Sequence, residues 1–156
     1  MKLKGLEPIE KILNDFLEPF DCIAKMGLDF AYNFITEEIT YSLVEIGAAS
    51  EAFLLDAESR FPQVHAPLFI WSFLHELGHR ITDDDLESEE IFESEMIKAH
   101  EAKENELFYF IAPDEYAATE WAGNYMIEHE REVAELWREL APAIRNFYIV
   151  NNVIED

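Results

Sequence analysis

The sequence predicts an α+β fold: a small antiparallel sheet packed on one buried helix, with further helices around it. Three observations lead there. An amphipathic helical stripe opens the chain, alternating and β-branched residues follow it, and helical stripes then run to the end. Helix, strands and then helices is the order of an α+β domain. The 156 residues suit one compact core, and no repeat, low-complexity run or Pro/Gly/Ser-rich linker divides them. Residues 1–156 are therefore expected to form a single domain.

The first helix is predicted from about Glu7 to Leu17. Ile9, Ile12, Leu13, Phe16, Leu17 and Phe20 form one apolar stripe, and Pro19 helps to end it. Strands are expected next. Phe30, Tyr32 and Phe34 alternate with smaller or polar neighbours, and ITYSLVEI (Ile39 to Ile46) is rich in β-branched residues. GAAS reads as a turn and EAFLLDA as a further strand, giving two or three antiparallel strands. FPQVHAP breaks the pattern, and Pro67 suits the first turn of a new helix. From Leu68 to Leu77 apolar residues occupy nearly every side, which is the mark of a buried helix. DDDLESEE reads as a solvated acidic run, because it lacks the spaced ligands and glycine of a calcium loop. A helix through about Ile91 to Lys103 and the aromatic connector LFYFIAP come next. Another helix starts near Pro113, with Ala118, Trp121, Ala122, Tyr125 and Met126 on its inner face. A last one carries Val133, Leu136, Trp137, Leu140 and Ile144. Nothing strong separates these two, so one long helix fits equally, and Pro142 is a place to kink or restart it.

Composition narrows the function classes. Apolar residues make up 49% of the chain, with twelve phenylalanines, which argues against disorder. Eleven basic residues against thirty-four acidic ones leave a net charge of −23. That field repels nucleic-acid phosphates and attracts cations and basic protein surfaces. A compact polyanion can also imitate DNA. Cys22 is alone, so it offers neither an internal disulfide nor a four-cysteine zinc site. MKLKGLEPIEKIL is charged too early for a signal peptide, and APLFIWSFL is too short to cross a bilayer. The expectation is a cytoplasmic protein with no membrane or nucleic-acid partner; its oligomeric state is open.

The chemistry concentrates in HELGH, His75 to His79. Residues four apart on a helix stand on one face, about 6 Å apart, so His75 and His79 can aim at one atom. That suits two corners of a tetrahedral zinc site with bonds of about 2.0–2.1 Å. Glu76 lies about 100° further round the helix, where it can reach a metal-held water as a general base rather than as a ligand. Five histidines and twenty-five glutamates shuffled over 156 positions would give this pattern roughly 0.03 times. Two histidines and a glutamate on a buried helix also need a reason, since each unpaired polar group costs about 1–3 kcal/mol. Gly78 is explicable if something packs closely against it.

A third ligand is then sought in PDEYAATEWAGNYM. The apolar stripe of that helix centres about 55° from Glu115 and about 165° from Glu120, so Glu115 lies at the buried edge and Glu120 faces solvent. A helix-start carboxylate is the plain alternative for Glu115. His100 is the other candidate ligand or oxyanion stabiliser, and Tyr109, Tyr116, Tyr125 and Arg80 are further candidates for the stabilising donor. His65 reads as surface, and His129 lies too far along the helix to share the site.

HELGH followed by DEYAATEWA resembles the zinc peptidases of the ImmA/IrrE type, within the gluzincins. Their later helix carries Glu, two residues, Ala, then Asn or Asp, one residue, an aromatic and Ala; here these are Glu115, Ala118, Thr119, Trp121 and Ala122. The chain departs from the pattern at Thr119, which weakens any claim of an acid supporting a histidine there. The resemblance covers about a fifth of the chain. It implies zinc held by His75, His79 and Glu115, Glu76 as base, and a small sheet whose edge strand pairs with an extended peptide. It also suggests a phage or phage-host origin. The expected activity is hydrolysis of a peptide bond in a protein or peptide, and the acidic surface suggests a basic one. The alternative is a non-catalytic acidic binding or decoy protein on the same fold, a DNA mimic or host-protein binder.

Overall fold

A computed structural model describes residues 3–43, 48–82 and 113–151. The chain divides into two compact units, one formed by residues 1–43 and 129–156 and the other by residues 44–128. Helices and a small sheet are both present, so the fold class is α+β. Among the described residues, no helix is long and apolar enough to cross a membrane.

The first unit holds α1 (Leu6–Leu17), a 3-10 turn (Glu18–Phe20), β1 (Ile23–Gly27), β2 (Ala31–Asn33), β3 (Glu38–Ser42) and α5 (Glu130–Val150). Helix α1 starts one residue before its predicted start and ends at Leu17 as predicted. Ile9, Leu13 and Leu17, four apart, are fully buried, each contributing about 1.5–3 kcal/mol. Helix α1 packs on β1 and on α5, which presents Val133, Leu136, Leu140, Ile144 and Phe147. The two ends of the unit meet closely at Gly5, where φ is +79° and a Cβ would lie 3.2 Å from Val150 Cγ2. The amide of Asn151 donates to Lys4 O at 2.7 Å, and the Tyr148 hydroxyl donates to Leu43 O at 2.6 Å.

The sheet has the order β1-β3-β2 and is mixed, which corrects the antiparallel expectation. β2 and β3 form the expected hairpin, with Tyr32 opposite Ile39. Asn33 holds its turn, its Oδ1 accepting from Ile35 N at 2.9 Å and Thr36 N at 3.2 Å. β1 pairs with β3 in parallel, Ala24 opposite Ile39. The chain reverses between β1 and β2 and again between β2 and β3, so β1 and β3 point the same way; β3 takes the central place because Ile39 and Tyr41 bury completely. Strand β1 is absent from the sequence pattern because Lys25, Met26 and Gly27 do not sustain an alternation. Asn14 of α1 anchors it instead: Ala24 N donates to Asn14 Oδ1 at 2.7 Å, and Asn14 Nδ2 donates to Glu10 O and to Ala24 O.

The second unit holds α2 (Ala48–Arg60), α3 (Leu68–Thr82) and α4 (Pro113–Glu128). Helix α2 is a second correction, since Ala48–Ser50 were expected in a turn and EAFLLDA in a strand. Phe53 and Ala57, four apart, are buried on it, and Ala, Leu and Glu dominate where β-branched residues are missing. Helix α3 begins as expected after Pro67, whose carbonyl accepts from Trp71 N at 3.1 Å. Ile70, Trp71, Phe73, Leu74 and Leu77 are fully buried on it. Helices α4 and α5 are separate, the break falling at His129 (φ −122°, ψ 39°), and α5 runs through Pro142. The helix expected through 91–103, residues 107–112 of the LFYFIAP connector and the DDDLESEE run lie outside the described residues.

Helix α4 approaches α3 at Gly78. A Cβ there would collide with Ala118 O and lie 2.9 Å from Ala118 Cα. Farther along α4, Gly123 makes room for the Phe61 ring, which would stand 2.5 Å from an added Cβ. Gly78→Ala is therefore expected to destabilise the protein by about 1–3 kcal/mol in chemical denaturation, the overpacking outweighing a helix-propensity gain of about 1 kcal/mol.

Candidate metal centre

The close approach at Gly78 sets His75 and His79 of α3 against the first turn of α4. Both imidazoles are buried, at 5% and 8% exposure, and Glu115 is at 9%. His75 Nε2 lies 2.7 Å from Glu115 Oε2, and His79 Nε2 lies 3.4 Å from Glu115 Oε1. One ligand atom from each residue falls within 4.8 Å of the others. Donors on a tetrahedral zinc with bonds of about 2.0–2.1 Å stand about 3.3 Å apart. The His79–Glu115 separation already matches that edge, and the His75–Glu115 pair needs to open by only about half an ångström. Two imidazoles and one carboxylate are a donor set that zinc accepts. The three residues therefore offer a donor set that could hold a divalent metal, with the ligand atoms, now within 4.8 Å of one another, drawing together around it.

Neighbouring side chains hold this group in place. Thr119, fully buried, sets its Oγ1 2.9 Å from His75 Nδ1. The rings of His75 and His79 meet edge-on at 4.7 Å, and Phe53 of α2 packs edge-on against His75 at 5.0 Å. Arg60, at the end of α2, donates to Tyr116 O at 3.0 Å and stacks over the Tyr116 ring at 3.8 Å, tying α2 to the turn that carries Glu115. Asp56 stands 3.6 Å from Arg60 as an ion pair. Among the described residues, every buried polar or charged side chain except Ser42 lies on α3 or α4.

Burial pushes the carboxyl of Glu115 up, as it would any buried acid; the hydrogen bonds and charges of His75 and His79 outweigh this and hold it well below the usual carboxylate range. Asp56 shows the opposite balance. Burial raises its carboxyl above the ordinary aspartate value despite Arg60 and His75. Glu115 is thus an anion held by its neighbours, the state a cation would meet.

Glu76 is mostly buried beside the group, its Oε2 3.9 Å from His75 Nε2. Glu120 is exposed, as expected. Tyr116 is 44% exposed, and Arg60 stacks over its ring. Tyr125 stacks on Trp121 at 5.0 Å. His65 is exposed, and Arg80 is half-buried on the last turn of α3. His100 and Tyr109 lie outside the described residues. Sequence reasoning missed the parts of Phe53 and Arg60, and it treated Thr119 only as a departure from the family pattern that weakened a histidine-supporting role, whereas its hydroxyl meets His75 Nδ1. For Thr119 a signal existed, since it follows Glu115 by one helical turn and so shares its face. For Phe53 and Arg60 there was none once α2 was read as a strand.

No family model, curated protein or solved structure matches this chain. Its chemistry has to be read from these residues. Elemental analysis of the purified protein is expected to find about one zinc per chain, lost in His79→Ala and in Glu115→Ala. Retention in Glu115→Ala would move the third position to another donor, such as Glu120 or His100.

Proposed function

We propose that this chain is a zinc-dependent metallopeptidase of gluzincin type, similar to the ImmA/IrrE peptidases, acting on a protein or peptide in the cytoplasm. The observation that supports the reading is the convergence of three donors from two helices, His75, His79 and Glu115, with a further carboxylate, Glu76, beside them. His75, His79 and Glu115 would hold the metal. Zinc bound there supplies Lewis-acid chemistry, polarising a carbonyl and making water more acidic.

The chain's own residues do the rest. Glu76 stands beside the three-donor group and would serve as the general base. It takes a proton from the attacking water and returns it to the leaving amine, so it ends each turnover as it began. Phe53 and the buried faces of α3 and α4 exclude water from the back of the site, which strengthens the electrostatics inside it. With a net charge of −23, the surface draws basic segments toward the site at low ionic strength.

Glu76→Gln tests the assignment. It is expected to lower peptide hydrolysis about 10²–10⁴-fold while metal content and circular dichroism stay unchanged. A biological function that survives both Glu76→Gln and His75→Ala would favour the acidic binding module instead. Lysine-rich peptides are expected to be cleaved faster than acidic ones, with the preference fading as salt is raised past about 0.5 M.

A further inference from the structure

Glu115 is the third residue of α4. The first turn of a helix is its weakest part, because its amides have no intrahelical acceptors and the end frays. A donor placed there is only as well fixed as the turn that carries it. The tight crossing of α4 with Gly78 comes one turn later, at Ala118. Arg60, the last residue of α2, grips the first turn itself. Its Nη2 donates to Tyr116 O at 3.0 Å, and its guanidinium lies 3.8 Å from the centre of the Tyr116 ring. Tyr116 is joined to Glu115 by one peptide bond, so backbone and side chain are both held right beside the carboxylate. A planar guanidinium supplies both contacts at once, its edge carrying N–H groups for the carbonyl and its flat face lying on the ring. Asp56 Oδ2 is 3.6 Å from Nη1, and the two side chains are only 13% and 16% exposed, so the pair is mostly buried. Helix α2 also reaches α3, where Phe53 packs edge-on against His75 at 5.0 Å. One helix thus contacts a histidine of the α3 pair and the turn of α4 that bears the carboxylate.

We propose that Arg60 is a positioning residue for the third metal donor, fixing Glu115 against His75 and His79 by holding the carbonyl and the ring of Tyr116 together. The proposal rests on the reading of His75, His79 and Glu115 as a metal-binding group. Arg60 acts through place rather than through charge, because its guanidinium is applied to a neutral carbonyl and a neutral ring. Without the hold, the first turn of α4 frays. The carboxylate then spreads over positions of which few face both imidazoles, and a cation is gripped less tightly by the same three residues.

The test combines zinc titration of the folded, zinc-free protein against a chromophoric chelator with the visible absorption of the cobalt(II)-loaded site. Arg60→Ala is expected to bind zinc about 10-fold more weakly and to shift the cobalt d–d bands, which report ligand geometry. Arg60→Lys keeps the charge beside Asp56 and loses the two-point hold, so it is expected to bind zinc as weakly as Arg60→Ala. A purely structural Arg60 would lower the melting temperature of the zinc-free protein yet leave the zinc affinity of folded chains and the cobalt spectrum unchanged; that result overturns the proposal. Full zinc affinity in Arg60→Lys overturns it as well, since charge alone would then suffice. Should Arg60→Ala fail to fold by circular dichroism, Arg60→Lys decides on the same two readings. Failure of the unaltered protein to take up either metal sinks the metal reading and this proposal together, whereas tight binding that ignores Arg60 sinks this proposal alone.

Discussion

The contact between Gly78 and the backbone of Ala118 is the constraint on which the candidate site depends. Two helices carrying ordinary side chains keep their axes about 8–10 Å apart. Removing a Cβ at the crossing lets Ala118 of α4 approach α3 at van der Waals distance. Glu115 is one turn before that crossing, and His75 and His79 flank it on α3. The carboxylate can meet two short imidazoles only because the helices come this close. The same closeness explains why a small residue, Ala118, stands on α4 where it meets Gly78.

Burial and charge work together at this crossing. The chain carries thirty-four acids, most of those described being exposed, yet Glu115 is held deep between two imidazoles. An isolated carboxylate there would be driven toward its neutral form. The histidines reverse that preference, and in turn the carboxylate and Thr119 satisfy the ring nitrogens of His75. The result is a polar cluster inside an apolar unit in which each member keeps another from being an unpaired buried group. Arg60 secures the cluster from outside, using its guanidinium on the carbonyl and ring of Tyr116 rather than on an acid of the cluster.

Much of the site was legible because helical periodicity is local. Four-residue spacing puts His75 with His79, and the angular position of Glu115 against Ala118, Trp121 and Ala122 puts it on the buried edge. The helices α1 and α3 were visible for the same reason. The sheet was harder, because strand order is set by partners far along the chain. Nothing within Ile23–Gly27 announces a strand; it becomes one because β3 and Asn14 hold it. Helix α2 was lost to a short apolar run, FLL, that suits a strand or a helix until Ala57 and Arg60 are weighed with it. The parallel pairing of β1 with β3 could not be read at all, since it follows from which strand wins the middle place.

The tether at Ala24 reaches beyond the sheet itself. Exposed strand rims invite other chains to join by backbone pairing, and small sheets are vulnerable because they have so little interior. Asn14 occupies both the amide and the carbonyl of Ala24, mimicking with one side chain the neighbour that an incoming strand would be. An invading segment would have to evict that carboxamide before docking along β1. Runaway stacking of copies, which needs two receptive sides per molecule, is thereby discouraged by a single asparagine.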